Sequence, residues 1–389
     1  MPGLSAPHET EWSLLLAACS DLSPEEKTRR IGQLLGSPIQ WNALRSFAEN
    51  NGVLPIVTQA LLCVGEQIPA ETLAALKQSY QANLHKALFL SREFVRIVAC
   101  LSEAGVEFMP YKGLALAETI YGDIALRQSG DIDLLIRGSD LPRVRAAVSQ
   151  LGYAPHLKLS HDEEEAYLKS GYECAFDGAA GRNLVEVQWA IQPHFYAVDL
   201  DMEGLFRRAH RVTVAGTEVK ALSAEDLFIV LALHAAKHVW GKLIWVCDLA
   251  RMSKLPSLKW NWIGARAREL GIARILRITL LLAQELLEAS LPGAAIDALG
   301  KDRRAGPLVG EIRSFMASEK SLDVESLGYF RLMLQLRERP TDRIRFVSRL
   351  VFTPGPNEWA VTRLPRPLFP FYRMVRITRL AARMVSGRI

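Results

Sequence analysis

Apolar residues recur at helical spacing through the first hundred positions, shorten into brief extended runs between about 105 and 222, and return to helical spacing afterwards. In the first part, Leu73, Leu76, Tyr80, Leu84, Ala87, Leu90, Phe94 and Ile97 repeat every three to four residues and predict one long helix over 70–101. Shorter helices are expected at 11–19 and 41–49, and another starts at Ser23-Pro24-Glu25-Glu26, where proline suits the first helical position. The middle part predicts strands at 106–109, 132–136, 172–176 and 184–189, with helices at 114–121 and 141–151. Asp177 to Gly181 reads as a hairpin connection, and a last hairpin over 212–222 turns at Ala215-Gly216-Thr217. Ser223-Ala224-Glu225-Asp226 then opens a helix through His238, followed by helical stretches at 240–252, 262–291 and 326–336.

This layout predicts an α+β fold in three parts: a helical domain at 1–104, an α/β core at 105–222 and a helical domain at 223–389 that ends in a basic tail. A length of 389 residues accommodates that many domains, and 49% hydrophobic with 23% charged residues describes an ordinary folding chain. The net charge of +5 is too mild to mark a dedicated nucleic-acid binder. No run approaches the roughly 20 apolar residues of a spanning helix, since the best candidate, 272–287, contains Arg274 and Arg277. Five scattered cysteines without a CxxC pair read as buried free thiols, and no secretory signal is visible, so a reducing cytoplasm is the expected location.

The chemistry concentrates in Arg127-Gln128-Ser129-Gly130-Asp131-Ile132-Asp133-Leu134-Leu135-Ile136. Alternate side chains of a strand share a face, so Asp131 and Asp133 project together while Ile132 and Leu134 face the opposite side. Two adjacent carboxylates repel unless a hard divalent cation joins them, and Mg²⁺ favours one or two carboxylates plus phosphate oxygens. Upstream, Lys112-Gly113 ends a strand and opens a helix, where glycine lets backbone approach a ligand and free N–H groups face an anion. Lys112 and Arg127 supply cations suited to a triphosphate. A third carboxylate is expected from a neighbouring strand, and Glu186 in Val185-Glu186-Val187-Gln188-Trp189 is preferred over its competitor Glu173.

With those residues in view, the chain resembles the uncharacterised bacterial nucleotidyltransferase family of the DNA-polymerase-beta-like superfamily. The likeness rests on the Lys-Gly turn, Asp131-Ile132-Asp133, Val185 to Trp189, and the later segments Leu233 to His238, Leu243 to Ala250, Trp359 and Leu364-Pro365. It implies a polymerase-beta-like core, a mixed sheet with flanking helices, between the two helical regions. Asp131, Asp133 and Glu186 are then the metal ligands and catalytic carboxylates, with Mg²⁺ or Mn²⁺ as cofactor. An NTP is the co-substrate, held by Lys112, Gly113, Arg127, Ser129, His234, Lys237 and His238. The implied reaction moves an NMP onto a hydroxyl or phosphate acceptor, whether small molecule, sugar or protein, and releases pyrophosphate. Two departures motivate an alternative, a nucleotide-binding module with weak or no catalysis. Leu114 stands where the superfamily has serine after the glycine, and Gln188 replaces an expected histidine.

His234 and His238 share one helical face at a spacing that suits zinc, but no HExxH glutamate accompanies them; packing, with Asp248 as a partner, is the alternative to nucleotide contact. After Glu358 the chain carries seven arginines and no acid. These fall on an expected amphipathic helix over 371–384 that either docks on the protein or meets a membrane surface, an acidic partner or RNA.

Overall fold

A computed structural model describes residues 8–181, 183–318 and 326–385. The N-terminal helices Glu9–Cys19, Pro24–Leu34, Trp41–Asn50 and Ala70–Glu103 fall where the apolar spacing put them, and Ser23 Oγ caps the second by accepting from the Glu26 amide at 3.2 Å. A further helix, Leu54–Leu62, was not expected. Six of its nine residues are buried, so it lacks the polar face that makes a helix visible as a periodic pattern.

The central sheet has five strands: β1 (Phe108–Pro110), β2 (Asp131–Ile136), β3 (Ala154–Pro155), β4 (Glu173–Asp177) and β5 (Leu184–Gln188). Their spatial order is β1-β2-β5-β4-β3; β2 and β5 run parallel and every other pair is antiparallel, so the sheet is mixed. Strands β6 (His210–Val214) and β7 (Thr217–Ala221) form a separate hairpin. Its turn residues Ala215 and Gly216 have φ of 50° and 72°, the left-handed pair that matches the twist of a two-residue hairpin loop. The architecture is α+β, with the mixed sheet between helical regions, as the sequence predicts.

The two faces of the sheet lead to different cores. Ile132, Leu134, Ile136, Val185 and Val187 pack onto Phe94, Ile97 and Leu101 of the long helix and Val144 and Val148 of the helix Leu141–Gln150. Leu135, one of the alternate residues of β2, faces a second and larger cluster. In that cluster N-terminal Leu14, Ile31 and Val57 meet C-terminal Leu233, Leu249, Ile275 and Leu282. The carboxylate-bearing face of β2 therefore looks toward helices drawn from both ends of the chain.

Several boundaries differ from the sequence reading. The stretch 262–291 is two helices, Trp260–Leu270 and Ala273–Leu287, because Gly271 ends the first at φ 69°. The helix His161–Ser170 was missed although Ser160 and Glu163 form a capping box, since few apolar residues mark its inner face. The cysteines are free, but only Cys247 is buried; Cys63 caps the end of Leu54–Leu62 and is exposed beside the exposed Leu62. The basic tail does form a helix, Tyr372–Val385, docked through Arg376 and Arg379 on Glu358, while Arg366 pairs with Asp162 and Glu165. Arg388, the last of the tail arginines, lies outside the described residues. No helix among the described residues is long and apolar enough to cross a membrane.

Candidate active site

β2 opens on Asp131, and the parallel register with β5 sets Asp133 beside Glu186. One carboxylate oxygen from each of Asp131, Asp133 and Glu186 lies within 4.8 Å of the others. Asp133 raises the pKa of its neighbour Asp131 to about 6, with burial adding to the effect. Burial also raises Asp133 and Glu186, and the Lys112 ammonium partly offsets this at both. Lys112 Nζ sits 2.6 Å from Asp133 Oδ1 and 3.8 Å from Glu186 Oε2. Burial works against that ammonium, but the surrounding negative charges outweigh it and hold its pKa well above the usual value.

These residues fit a hard divalent cation. All three donors are carboxylate oxygens, and their mutual repulsion is the kind a metal relieves. Buried Asp133 Oδ1 has the Lys112 ammonium beside it but no hydrogen bond of normal geometry, as suits an oxygen that a metal would take up.

The turn after β1 holds Lys112 in place. Gly113 has φ 52°, and a Cβ there would lie 3.2 Å from the Asp131 carbonyl oxygen, so glycine is required both by conformation and by close approach. The helix that follows is shorter than expected: Gly113–Leu116 is α-helical and Ala117–Tyr121 is a π turn. So short a segment sums few peptide dipoles, which leaves the anion attraction to Lys112 and nearby amides. Leu114 is buried against the long helix, where it offers no polar group to the cleft.

Arg127 is more constrained than a simple phosphate ligand. Its Nε and Nη2 donate to Asp248 Oδ1 and Oδ2 at 3.0 and 2.9 Å, and Tyr121 Oη donates to Asp248 Oδ1 at 2.8 Å. Only Nη1 turns back to the site loop, 3.4 Å from both the Gly113 carbonyl and Ser129 Oγ. Asp248 is consequently the partner of Arg127 and Tyr121 and not of the histidines, because the flat guanidinium satisfies both carboxylate oxygens. His234 and His238 instead pack on Trp245, at centroid separations of 5.1 and 5.3 Å. Burial lowers both imidazoles, His238 to about 3, so they line the cleft as neutral rings.

A polar chain crosses the floor of the cleft. Lys237 Nζ donates to Tyr172 Oη at 3.0 Å, and Tyr172 Oη donates to Glu173. Gln188 Nε2 reaches Glu173 at 3.3 Å and Glu186 at 3.5 Å, while buried Tyr111 donates to Gln188 Oε1. Gln188, at the position where histidine was expected, thus orients the third carboxylate. Glu173 shares the face but stands on β4, one strand farther from Asp133 than Glu186 and opposite Gln188. The peptide after Lys237 is also unusual: Val239 and Trp240 both adopt left-handed φ, near 52° and 50°, which costs energy for a β-branched residue and ends the helix Ala224–Lys237 abruptly.

All ten residues singled out on the sequence line one cleft of about 400 Å³. Lys86, Tyr172, Lys242 and Trp245 line it as well and were not foreseen. Lys86 sits amid the long helix at an unremarkable polar position, while Lys242 and Trp245 lie at the start of the helix Leu243–Ser253, just after a turn whose geometry no local motif announces.

The family model described as "Uncharacterised nucleotidyltransferase" matches residues 37–288, a span that includes every residue of this cleft. No curated protein matches the chain. The solution structure of the antibiotic-resistance factor ANT(2'')-Ia is similar over 59% of this chain and 95% of that one, with 16% identity and a TM-score of 0.28.

Proposed function

The chain belongs to the uncharacterised nucleotidyltransferase family, and from that premise we propose that it moves an NMP from an NTP to a hydroxyl or phosphate acceptor and releases pyrophosphate. The observation that carries this reading is the convergence of Asp131, Asp133 and Glu186, with oxygens within 4.8 Å, beside a buried lysine.

Asp131, Asp133 and Glu186 would hold Mg²⁺ or Mn²⁺. Bound there, the metal would neutralise phosphate charge and polarise the oxygens at the reacting phosphorus. Lys112 exchanges its pairing with Asp133 for phosphate oxygens, and Lys237 adds a second cation to the lining of the cleft. Gly113 and Ser129 bring backbone and hydroxyl close to the phosphates, with Arg127 Nη1 behind them. Neutral His234 and His238 complete the wall without competing charge. Glu186, steadied by Gln188, accepts the proton of the acceptor hydroxyl. We place the reaction in the cytoplasm, where NTPs and reduced thiols coexist, and keep 105–222 as the proposed catalytic core between the two helical regions.

The test is Asp131→Asn with Asp133→Asn, assayed for pyrophosphate release and for folding by circular dichroism. Loss of release with a native spectrum is expected, and full activity in the double variant refutes the assignment. Buried Leu114 favours a second reading, a module that binds nucleotide but turns it over weakly or not at all. Calorimetric titration with Mg-ATP and Mg-CTP beside the release assay separates the two, since tight binding with no release selects the module.

A further inference from the structure

A second cavity, of about 340 Å³, adjoins the carboxylate cleft and shares Tyr172, Lys237 and His238 with it. Its wall is mainly aromatic and aliphatic, with Tyr167, Phe195, Tyr196, Tyr329, Phe330 and Leu350 among the lining residues. The size and lining are those of a small-molecule site, where apolar walls supply affinity and a few polar groups orient the ligand. The shared wall is firmly placed. Tyr329 and Tyr196 both donate to the Lys237 carbonyl, at 2.9 and 3.4 Å, so the helix Leu327–Leu336 and the turn His194–Tyr196 fix the end of the helix that carries Lys237. From Lys237 the polar chain through Tyr172, Glu173 and Gln188 leads to Glu186.

Charge narrows the ligand. Among the described residues the cavity is lined by three cations, Lys237, Arg376 and Arg379, and by one carboxylate, Glu358. Glu358 is fully buried, and its oxygens already accept from Arg379 Nε at 2.7 Å, Arg376 Nη1 at 3.2 Å and the Gly355 amide at 2.8 Å. A cationic ligand would be desolvated against like charge, with no carboxylate among the described lining residues left to receive it.

We propose that this cavity binds the acceptor, and that the acceptor is a flat, mainly apolar small molecule bearing a hydroxyl and no positive charge. The proposal rests on the nucleotidyltransferase reading above. The acceptor oxygen attacks the α-phosphorus from the side of Tyr172 and Lys237 and forms the new O–P bond. The bond from that phosphorus to the β-phosphate oxygen breaks, its electron pair leaves on pyrophosphate, and the hydroxyl proton passes to Glu186.

The probes are 6-hydroxy-2-naphthoate, 2-naphthol and 4-hydroxybiphenyl, with the polycation neamine as contrast, added to the full chain with Mg-ATP. At least one aromatic is expected to bind saturably by calorimetry and raise pyrophosphate release at least tenfold, with neamine inert. Thr353→Trp and Leu350→Trp, two independent ways to fill the cavity, are each expected to weaken aromatic binding at least tenfold in protein with a native circular-dichroism spectrum. Aromatic binding unchanged in a correctly folded filled variant overturns the proposal, as does stimulation by neamine but by none of the aromatics, or Mg-ATP binding with no response to any aromatic. Failure of the underlying reading has a different signature: Mg-ATP does not bind the wild type at all.

Discussion

Asp133 and Glu186 lie directly across the one parallel junction of the sheet, where β2 and β5 bring a buried and a half-buried acid into register and Asp131 joins them two residues earlier. Protein folded without metal therefore carries repulsion that Lys112 relieves only in part. Manganese or magnesium should raise the melting temperature, by an amount that follows ligand linkage: about 2.7 kcal/mol when the ion stands at 100 times its Kd. Differential scanning fluorimetry in EDTA and in graded MnCl₂ measures this. The same increment in Asp131→Asn/Asp133→Asn would show that the ion binds elsewhere.

The Arg127–Asp248 pair ties the site loop to the helix Leu243–Ser253, and both side chains are almost completely buried. Removing one member strands the other charge. Asp248→Asn is expected to destabilise the fold by about 3–5 kcal/mol, read as a lower urea midpoint. Arg127→Met/Asp248→Leu should recover part of that loss, because no lone charge remains. A double variant as unstable as Arg127→Met and Asp248→Leu summed would mean that the pair is not coupled.

Much of this site was legible because its chemistry is local. Asp131 and Asp133 need only strand alternation to share a face, and Lys112-Gly113 announces a turn on its own. Glu186 was legible as the lone acid in an apolar strand, although its register against Asp133 depends on a pairing of distant segments. What local pattern does not contain is the cost of burying Arg127, which found Asp248 rather than a phosphate, and the strained Val239–Trp240 turn that follows Lys237. The neighbouring aromatic cavity was hidden for the same reason: Tyr167, Tyr196 and Tyr329 come from three separate segments and each reads alone as ordinary core.

Gly113 is exposed to two penalties at once. Alanine there must hold φ near 52°, which costs about 1–2 kcal/mol for an L-residue, and its Cβ must crowd the Asp131 carbonyl at 3.2 Å. Gly113→Ala should lower stability by about that amount and impair turnover far more than the stability loss explains, since it displaces Lys112 and Asp131 together. Steady-state kinetics beside urea denaturation checks this, and wild-type kcat/KM in a folded Gly113→Ala protein would contradict the geometry.

Lys237 gives the site a pH signature. Burial lowers its ammonium from the usual 10.5 to about 8, against the raising influence of Glu173 and Glu186. The folded state therefore binds that proton less well than the unfolded state, and stability rises with pH between about 8 and 10.5 on account of this residue. Below that window the charged group is a burden of about 3 kcal/mol, from a shift of roughly two and a half units. Lys237→Met should accordingly be more stable than the wild type at pH 7, with the advantage shrinking as pH approaches 10.5. The variant should also bind Mg-ATP more weakly at pH 7, because the cation on that wall is gone. Urea denaturation of both proteins from pH 6.5 to 10.5 supplies the difference curve, in which other titrations shared by the two proteins cancel. A flat difference, or a variant less stable at pH 7, would mean that the Lys237 ammonium is stabilised by its hydrogen bond to Tyr172 and the charge of Glu173 rather than penalised by burial.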